Sequence, residues 1–372
     1  MAGHNQIPQN AFKVRLAILL ARMLSRFLWM FSLRALYRLA DVGGLMFYLL
    51  FPTYRENVMS NLSHVVGSDV SERELRRLTR SAFRTSARNF ADLTRVPHIS
   101  EEEFVASVRS NPGGLETLDK LAESGRGVVL VTAHFGAFDY VGQILWLKGY
   151  KLTSLTARTV PEFIDAAVSY LRGARGAKME PATPGGVRRV LMSLKRGELI
   201  GIVADRDFFQ NGKPVTFFGK RTTLPPGPIR IARDAGAPVV ACFARRDREG
   251  YYFEVEEPFM VPKTEDAEGD IRKGLERLVA VFERHLREAP DQWVMFQRVW
   301  TETPQQPVRV FPIGSPLHGR ILGPSDEERG PLTAPAPERQ EAQLPEKAAP
   351  RSVLAWIRRS LNRVRQDPSG SS

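Results

Sequence analysis

The stretch "GRGVVLVTAHFGAFDYVGQILWLKGY", residues 125–150, predicts a buried strand followed by a helix. Its valine-rich run has the short, continuous apolar pattern of a strand that is covered on both faces. An apolar helical segment follows and stops before a glycine. Between the two segments lie His134, Gly136 and Asp139. Because ligands bind at the carboxyl ends of strands in open α/β sheets, these residues mark a candidate site.

The alternation of strands and helices continues along the chain after residue 150. Four further strands are predicted, "YKLTSLTAR", "ELIGIVAD", "APVVACFAR" and "YYFEVEEPF". Helical segments separate the first three of them, and an amphipathic helix follows the fourth at residues 271–288. Residues 55–124 are predicted to be helical, with a capping-box pattern at Ser71 and Glu74. This order predicts an α/β fold with a mostly parallel central sheet flanked by helices.

Composition divides the chain into four segments. Residues 1–54 are basic and rich in apolar residues, and we interpret them as a membrane-association segment. Residues 55–302 form the predicted α/β domain. Residues 303–350 are predicted to be a disordered linker, since ten prolines fall within residues 304–350. Residues 351–372 are a basic tail, and the sequence leaves open whether it forms a short amphipathic helix on a membrane or is disordered.

The chain carries a large excess of positive charge, a net +12 over 372 residues. Such a balance favours an anionic partner, either a nucleic acid or an anionic membrane surface. No base-stacking or groove-reading motif accompanies the charge, so we expect no nucleic-acid partner. The single cysteine, Cys242, excludes an intramolecular disulfide framework. It lies in a predicted strand and is expected to be a core residue.

The basic N-terminal segment has the pattern of an amphipathic helix. On a helix, Arg15, Arg22 and Arg26 fall within about 40° of one another, and bulky apolar residues fill most of the rest. The longest uncharged run, residues 42–54, is shorter than the roughly 20 residues needed to span a bilayer. We therefore predict a helix in the membrane interface with its arginines towards the phosphate headgroups. A helix packed on the protein's own core is the alternative.

His134 and Asp139 are the first candidate pair for chemistry. Five residues apart on one continuous helix, their side chains would point about 140° apart. They meet if His134 lies in the strand-to-helix turn, where Gly136 permits unusual backbone angles, and Asp139 lies in the first turns of the helix. Asp139 would then fix the imidazole tautomer and leave the other nitrogen as a general base. Alternatively, His134 is a satisfied buried histidine and Asp139 complements the helix dipole.

A second group of charged residues, Asp205, Arg206 and Asp207, follows the strand "ELIGIVAD". The Arg206 guanidinium suits bidentate binding of a phosphate or a carboxylate. Asp205 and Asp207 are expected either to orient Arg206 or to accept hydrogen bonds from sugar hydroxyls. A surface cluster of salt bridges is the alternative.

Other common catalytic patterns are missing from the sequence. It contains no G-x-S-x-G elbow and no Walker A pattern. The segment "GRGVVL" precedes its strand and lacks a third glycine, so it is not a dinucleotide fingerprint. The six histidines are dispersed and no H-E-x-x-H occurs, so we predict no metal site and no bound cofactor.

Taken in order, these motifs resemble the lysophospholipid acyltransferase superfamily, whose hallmark is an H-x4-D/E motif at a strand end, here "HFGAFD". More narrowly, the chain is similar to the lipid A biosynthesis acyltransferases (lauroyl and myristoyl transferases) and to the related phosphatidylinositol mannoside acyltransferases. The similarity runs from about residue 12 to residue 300 and includes "HFGAFDYVG", "LTARTVPE", "VADRD", "FFGKRTTLPPGP", "GAPVV" and "DQWVMFQRVW".

The resemblance implies an O-acyltransferase. His134 would deprotonate a hydroxyl of a membrane glycolipid or lysolipid, which attacks the thioester of acyl-CoA or acyl-carrier protein, and Asp139 would orient His134. Arg158 and Arg206 are the candidates for binding phosphate or the acceptor head group. The implied partners are the lipid acceptor and an anionic membrane surface. The implied location is peripheral, on the cytoplasmic face of the bacterial inner membrane.

The chain departs from both families at particular positions. Lipid A enzymes usually carry Glu at the position of Asp139 and tend to read D-Q-x where this chain has "DRD", which favours the mannoside enzymes. Those enzymes have an acidic residue where this chain has Ala157. The resemblance therefore leaves the acceptor open. The competing function is a non-catalytic protein that binds anionic membranes.

Overall fold

The computed structural model describes residues 11–156, 161–208, 211–247 and 249–300. The predicted linker, 303–350, and the predicted basic tail, 351–372, lie outside the described residues.

Nine strands occur in the described part of the chain. They are β1 (Val108–Ser110), β2 (Val128–Thr132), β3 (Leu152–Thr156), β4 (Lys178–Pro181), β5 (Leu199–Val203), β6 (Lys213–Phe217), β7 (Lys220–Leu224), β8 (Val239–Asp247) and β9 (Gly250–Val255). Seven of them form one sheet in the order β1-β9-β8-β2-β5-β3-β4, and β6 and β7 form a separate antiparallel hairpin. From β8 to β4 all neighbours are parallel, whereas β9 is antiparallel to β8. The predicted mostly parallel sheet is confirmed.

Helices flank this sheet. Within the described residues they are α1 (Ala11–Trp29), α2 (Leu33–Leu50), α3 (Pro52–Val66), α4 (Glu72–Arg95), α5 (Glu101–Ala106), α6 (Gly114–Glu123), α7 (Phe138–Leu147), α8 (Glu162–Gly173), α9 (Pro184–Lys195), α10 (Gly227–Ala235) and α11 (Ala267–Glu288). The Ser71 side chain caps α4 by accepting a hydrogen bond from the Glu74 backbone N–H. The Ser71 half of the predicted capping box is therefore present, whereas the Glu74 carboxylate accepts hydrogen bonds from Arg77.

The central strand β2 is covered on both faces. Val128 and Leu130 belong to a core cluster that includes Val141 and Ile144 of α7. Val129 and Val131 point to the opposite face, since side chains alternate along a strand, and they are also buried. Burial on both faces explains the continuous apolar run in the sequence.

Four of these nine strands were absent from the predicted pattern: β6 and β7 of the hairpin, and the two edge strands β1 and β4. β1 lies in the segment 55–124, which was predicted to be helical, and it pairs with β9 at one edge of the sheet. β4 pairs with β3 at the other edge of the sheet. Both strands have three or four residues without an apolar alternation, so only their pairing partners identify them.

The basic N-terminal segment forms two helices rather than one. α1 ends at Trp29, and α2 begins after Ser32, whose side chain accepts a hydrogen bond from the Ala35 backbone N–H at 3.3 Å. α1 packs against α8 and α4, and α2 packs against α4. At Gly44 of α2, any larger residue would collide with the backbone of α4. Both helices therefore contact the protein's own domain on one side.

The outer sides of α1 and α2 carry large apolar residues. α1 turns Ala17, Ala21 and Ser25 inward and turns most of its bulky residues outward. No helix in the described ranges has the length and apolar character needed to cross a membrane. The exposed apolar side chains of the two helices include Phe12, Leu16, Leu19, Leu20, Met23, Leu24, Phe27, Leu39, Val42, Met46, Leu49 and Leu50.

Candidate active site

His134 lies in the loop between β2 and α7, at the carboxyl end of β2. Gly136 in this loop has a φ of 55°, and a Cβ there would overlap the backbone carbonyl oxygen of β8, so only glycine fits. Three hydrogen bonds of 2.6, 2.8 and 2.8 Å hold Gly136 and the next residue in place. Their partners are Asn89, Gln292 and Ala244.

The His134 side chain pairs with Asp205, which follows β5. Nδ1 of the imidazole lies 2.7 Å from Asp205 Oδ1, and the His134 backbone N–H donates to Oδ2 at 2.8 Å. β5 is the direct neighbour of β2 in the sheet, so the carboxyl ends of the two strands bring these residues together. Asp205 is completely buried, whereas 35% of the His134 side chain is exposed.

The environment of Asp205 fixes the state of the pair. Burial raises the pKa of the Asp205 carboxyl, but the charge and hydrogen bonds of His134 and the hydrogen bond of Trp293 outweigh burial and hold this pKa below its usual value. An ionised Asp205 accepts a hydrogen bond from Nδ1–H of His134. In the neutral imidazole with the proton on Nδ1, Nε2 then has a free lone pair. Nε2 has no hydrogen-bond partner among the described residues. The arrangement can therefore accept a proton from a ligand.

Trp293 is the residue of this site that sequence reasoning missed. Its indole Nε1 donates to Asp205 Oδ2 at 2.8 Å, and its side chain is almost completely buried. The indole N–H of a buried tryptophan usually donates to a hydrogen-bond acceptor, so the tryptophan in "DQWVMFQRVW" indicates that a polar group lies beside its ring. Nothing in the sequence indicates which group.

The predicted contact between His134 and Asp139 is wrong. Asp139 Oδ2 instead accepts a hydrogen bond from the guanidinium of Arg172 in α8 at 2.7 Å. α7 begins at Phe138, which places Asp139 in its first turn, where the helix directs the carboxylate towards α8. The role of Asp139 in catalysis stays a prediction.

The other predicted site residues are only partly brought together. Buried Asp205 has no surface for the predicted contact with a sugar, and it serves His134 instead. The Asp207 carboxylate accepts hydrogen bonds from Asn211, Gly212 and Thr223, so it braces the loop before the β6–β7 hairpin. Neither carboxylate forms an ion pair with Arg206 in the described structure.

Arg206, which pairs with neither of these carboxylates, can bind an anion. Its guanidinium lies over the Phe208 ring, 5.4 Å from the centroid. Partial burial lowers the pKa of Arg206, and Asp205 offsets some of that effect. Arg158 lies outside the described residues.

Two further features bear on the predicted chemistry. Cys242 is buried in β8, and burial raises the pKa of its thiol, which disfavours the thiolate. Glu254, Glu256 and His285 bring ligand atoms within 4.8 Å of one another, a spacing that suits a metal ion. However, His285 Nε2 lies 2.7 Å from Glu256, and Arg284 pairs with the same carboxylate at 2.5 Å. In this structure the Glu256 carboxylate is therefore engaged by two side chains of the protein itself.

The fold and the site define an α/β protein in which a buried carboxylate, Asp205, orients His134 at the carboxyl edge of the parallel sheet. The sequence profile of the bacterial lipid A biosynthesis acyltransferases matches residues 12–302, so the chain belongs to this family and is an acyltransferase.

The relatives that the chain is similar to include phosphatidylinositol mannoside acyltransferases and lipid A biosynthesis acyltransferases. The chain is 26% identical over 224 residues to a phosphatidylinositol mannoside acyltransferase of Mycobacterium tuberculosis, covering 59% of this chain and 69% of the relative. The corresponding enzyme of Mycolicibacterium smegmatis is 27% identical over 252 residues, 66% of this chain and 79% of the relative. A lipid A biosynthesis acyltransferase of Haemophilus influenzae is 28% identical over 187 residues, 50% of this chain and 57% of the relative. The predicted family resemblance is confirmed.

Proposed function

We propose that the protein transfers a fatty acyl group from acyl-CoA or acyl-carrier protein to a hydroxyl of a membrane glycolipid. The observation that carries this proposal is the hydrogen bond between His134 Nδ1 and buried Asp205, at the carboxyl edge of the sheet, in a chain of an acyltransferase family. The names of the relatives support a lipid A-like or a phosphatidylinositol mannoside-like acceptor.

In the proposed reaction, His134 acts as the general base. Nε2 takes the proton of the acceptor hydroxyl while that oxygen attacks the thioester carbonyl carbon. Asp205 stabilises the resulting imidazolium through Nδ1. Collapse of the tetrahedral intermediate breaks the C–S bond, and the departing thiolate takes the proton back from Nε2. The acyl group passes directly from donor to acceptor, which agrees with the high pKa of the Cys242 thiol.

Arg206 is the proposed contact for an anionic group of the substrates. Its guanidinium is partly buried next to the catalytic pair and bonded to no carboxylate among the described residues. A phosphate bound there would neutralise a guanidinium that is already partly removed from water. Arg158 is the second proposed contact, from the sequence resemblance alone.

The outer sides of α1 and α2 are the proposed membrane-binding surface. Most large apolar residues of α1 face outward, which is not the pattern expected for a helix whose outer side meets water, and α2 also exposes several. Around the axis of α1, the exposed apolar residues centre about 180° from the buried Ser25. The arginines lie about 80° from Ser25, between the buried side and the apolar side. Arginines in that position can reach anionic headgroups while the apolar side chains enter the bilayer. We place this contact on the cytoplasmic face of the bacterial inner membrane, where both thioester donors are available.

Acyl transfer by matched variants tests the proposal. Purified protein is incubated with radiolabelled palmitoyl-CoA or palmitoyl-acyl-carrier protein and vesicles of the source organism's lipid extract. His134→Ala is expected to lose about 10²–10⁴-fold in rate, the usual contribution of one general base. Asp205→Asn should lose much of the same factor. Glu72→Gln, the same carboxylate-to-amide change on exposed α4, should retain full activity.

Equal turnover by wild type and His134→Ala would refute the mechanism. Vesicle binding without any acyl product from either donor would favour the competing function, a non-catalytic protein that binds anionic membranes.

A further inference from the structure

Gly136, the left-handed residue of the His134 loop, has both of its backbone polar groups held by residues outside the loop. Its N–H donates to the Gln292 backbone oxygen at 2.8 Å, and its carbonyl oxygen accepts a hydrogen bond from the Asn89 side chain of α4 at 2.6 Å. Gly136 is buried, so both groups need partners within the protein. Of the three hydrogen bonds that hold this turn, the one from Asn89 is made by a side chain, and the other two join backbone groups.

The direction of the Asn89 amide is set by Arg246 of β8. Asn89 Oδ1 accepts a hydrogen bond from the Arg246 guanidinium at 3.0 Å, while Asn89 Nδ2 donates to Gly136. A guanidinium offers only donors and a backbone carbonyl only accepts. A reversed amide would therefore set donor against donor at one end and acceptor against acceptor at the other, so these partners fix which end of Asn89 faces the loop.

Arg246 is itself held at both its side chain and its backbone. The side chain is 9% exposed and forms an ion pair with Asp92 of α4, which is completely buried. Burial lowers the pKa of Arg246, but Asp92 and two neighbouring tyrosines raise this pKa by more, so the guanidinium stays charged. The Arg246 backbone N–H donates to the Gln292 side chain at 2.8 Å, and its carbonyl oxygen accepts from the same side chain at 2.7 Å.

These contacts close into a ring of hydrogen bonds that runs from Gly136 through Asn89, Arg246 and Gln292 back to Gly136. A buried ion pair has a desolvation cost that apolar side chains of the same volume avoid, so the pair with Asp92 is weak evidence for a role in stability. The pair does determine where the guanidinium lies, and thereby the direction of the Asn89 amide. Because Gly136 is two residues after His134, a rotation of the Gly136 carbonyl changes the backbone that carries the imidazole.

We infer that Asn89 is a positioning residue for acyl transfer: by holding the Gly136 carbonyl it keeps the imidazole of His134 in place for proton transfer. The inference rests on the proposed function of His134. Asn89 acts through the loop rather than on a substrate, and Arg246 supports it by fixing the direction of its amide.

Two substitutions of Asn89 test this role. Asn89→Asp keeps the size of the side chain but presents a carboxylate oxygen to the Gly136 carbonyl, and Asn89→Ala removes the amide without adding a charge. Both variants are assayed with radiolabelled palmitoyl-CoA or palmitoyl-acyl-carrier protein and vesicles of the source organism's lipid extract. Each should lower kcat by about 10- to 100-fold with little change in KM, because a misplacement of about 1 Å costs up to about that factor.

The matched control is Asn111→Asp, at the β1 edge of the sheet. Asn111 Nδ2 donates to the Val255 backbone oxygen at 3.0 Å, so this substitution removes the same kind of hydrogen bond. It should lower the melting temperature, as Asn89→Asp does, but leave kcat at the wild-type value. The comparison separates a loss of stability from a displacement of His134.

The nitrogen NMR signals of the His134 ring give a second measurement that needs no turnover. In wild type, Nδ1 donates to Asp205 and carries the proton, so the two ring nitrogens differ in chemical shift. In both Asn89 variants this contact should weaken, and the two signals should move towards those of an imidazole that exchanges between its tautomers. Asn111→Asp should leave the signals unchanged, and His134→Ala assigns them.

Wild-type kcat in both Asn89 variants would overturn the inference, and so would a loss of kcat in Asn111→Asp as large as theirs. Ring signals of His134 that are the same in wild type and in the Asn89 variants would also overturn it. Failure of the proposed function gives a different result: an active His134→Ala rejects the general base, and the ring signals still decide whether Asn89 positions the imidazole.

Discussion

Replacing Trp293 by Phe isolates the hydrogen bond that holds Asp205. The change removes the indole donor 2.8 Å from Asp205 Oδ2 and leaves both contacts of His134 with the carboxylate. A hydrogen bond to a charged group contributes about 1.5–3 kcal/mol. We expect that loss of unfolding free energy at pH 7, plus a smaller amount for the reduced ring size. The loss of this hydrogen bond also raises the pKa of Asp205, because the bond stabilises the ionised carboxylate.

The pH dependence of the loss separates the hydrogen bond from the packing change. The folded-state pKa of Asp205 lies below its usual value. Its charged form therefore contributes stability that is fully present above the unfolded-state pKa of about 3.9 and is lost as the pH falls through the folded-state pKa. Trp293→Phe raises the folded-state pKa, so the hydrogen-bond part of the loss shrinks in acid. The packing part persists at every pH.

Urea unfolding at pH 7 and at the lowest pH where wild type remains folded measures both parts. Trp300→Phe is the matched control, because its indole donates to a neutral acceptor, the Phe217 backbone oxygen, at 3.2 Å. That variant should lose about 0.5–1.5 kcal/mol with no dependence on pH. If Trp293→Phe costs no more than Trp300→Phe, or costs the same at both pH values, the argument about Asp205 is wrong.

Three other outcomes follow from the same contacts. Gly136→Ala should lower the free energy of unfolding by about 2–4 kcal/mol and remove most of the activity, because Gly136 has a left-handed backbone that touches β8. Gly149 is also left-handed but has open space around it, so Gly149→Ala should lower the free energy of unfolding by about 1 kcal/mol. Thermal melting compares the two variants. Arg206→Met should raise KM about tenfold with kcat retained if it binds an anionic group of a substrate, and an unchanged KM for both substrates would exclude that role. Substitution of Leu19, Met23 and Phe27 by Gln, on the outer side of α1, should lower the affinity for phosphatidylglycerol vesicles about 100-fold in a sedimentation assay, with no fall in melting temperature. The controls Met192→Gln and Met260→Gln should change neither the affinity nor the melting temperature.

Local patterns in the sequence were sufficient for most of the secondary structure. The apolar run of β2, the capping serine of α4 and the apolar stripe of α11 are each recognisable within a few residues, because burial and capping leave a periodic or positional record along the chain. β1 and β4 leave no such record. Their few residues become strands because the neighbouring strands β9 and β3 pair with their backbones.

The position where the N-terminal segment divides into two helices could also not be predicted from the local sequence pattern. A continuous amphipathic pattern predicted one helix, but the chain bends between Trp29 and Leu33 so that α1 packs on α8 and α2 packs on α4. Two packing surfaces at different angles decide the position of such a bend, and neither surface is visible in the segment itself.

The sequence alone determined that His134 stands at the end of a buried strand, that Gly136 turns the chain and that a charged strand end follows later. Tertiary structure decided which acid His134 meets. Asp139 is five residues away but starts a helix that turns it towards α8, whereas Asp205 is 71 residues away and lies on the neighbouring strand. Apolar periodicity reports burial locally along the chain. Side-chain partners depend on strand order and on the direction in which a helix faces, and both are set by the packing of distant segments.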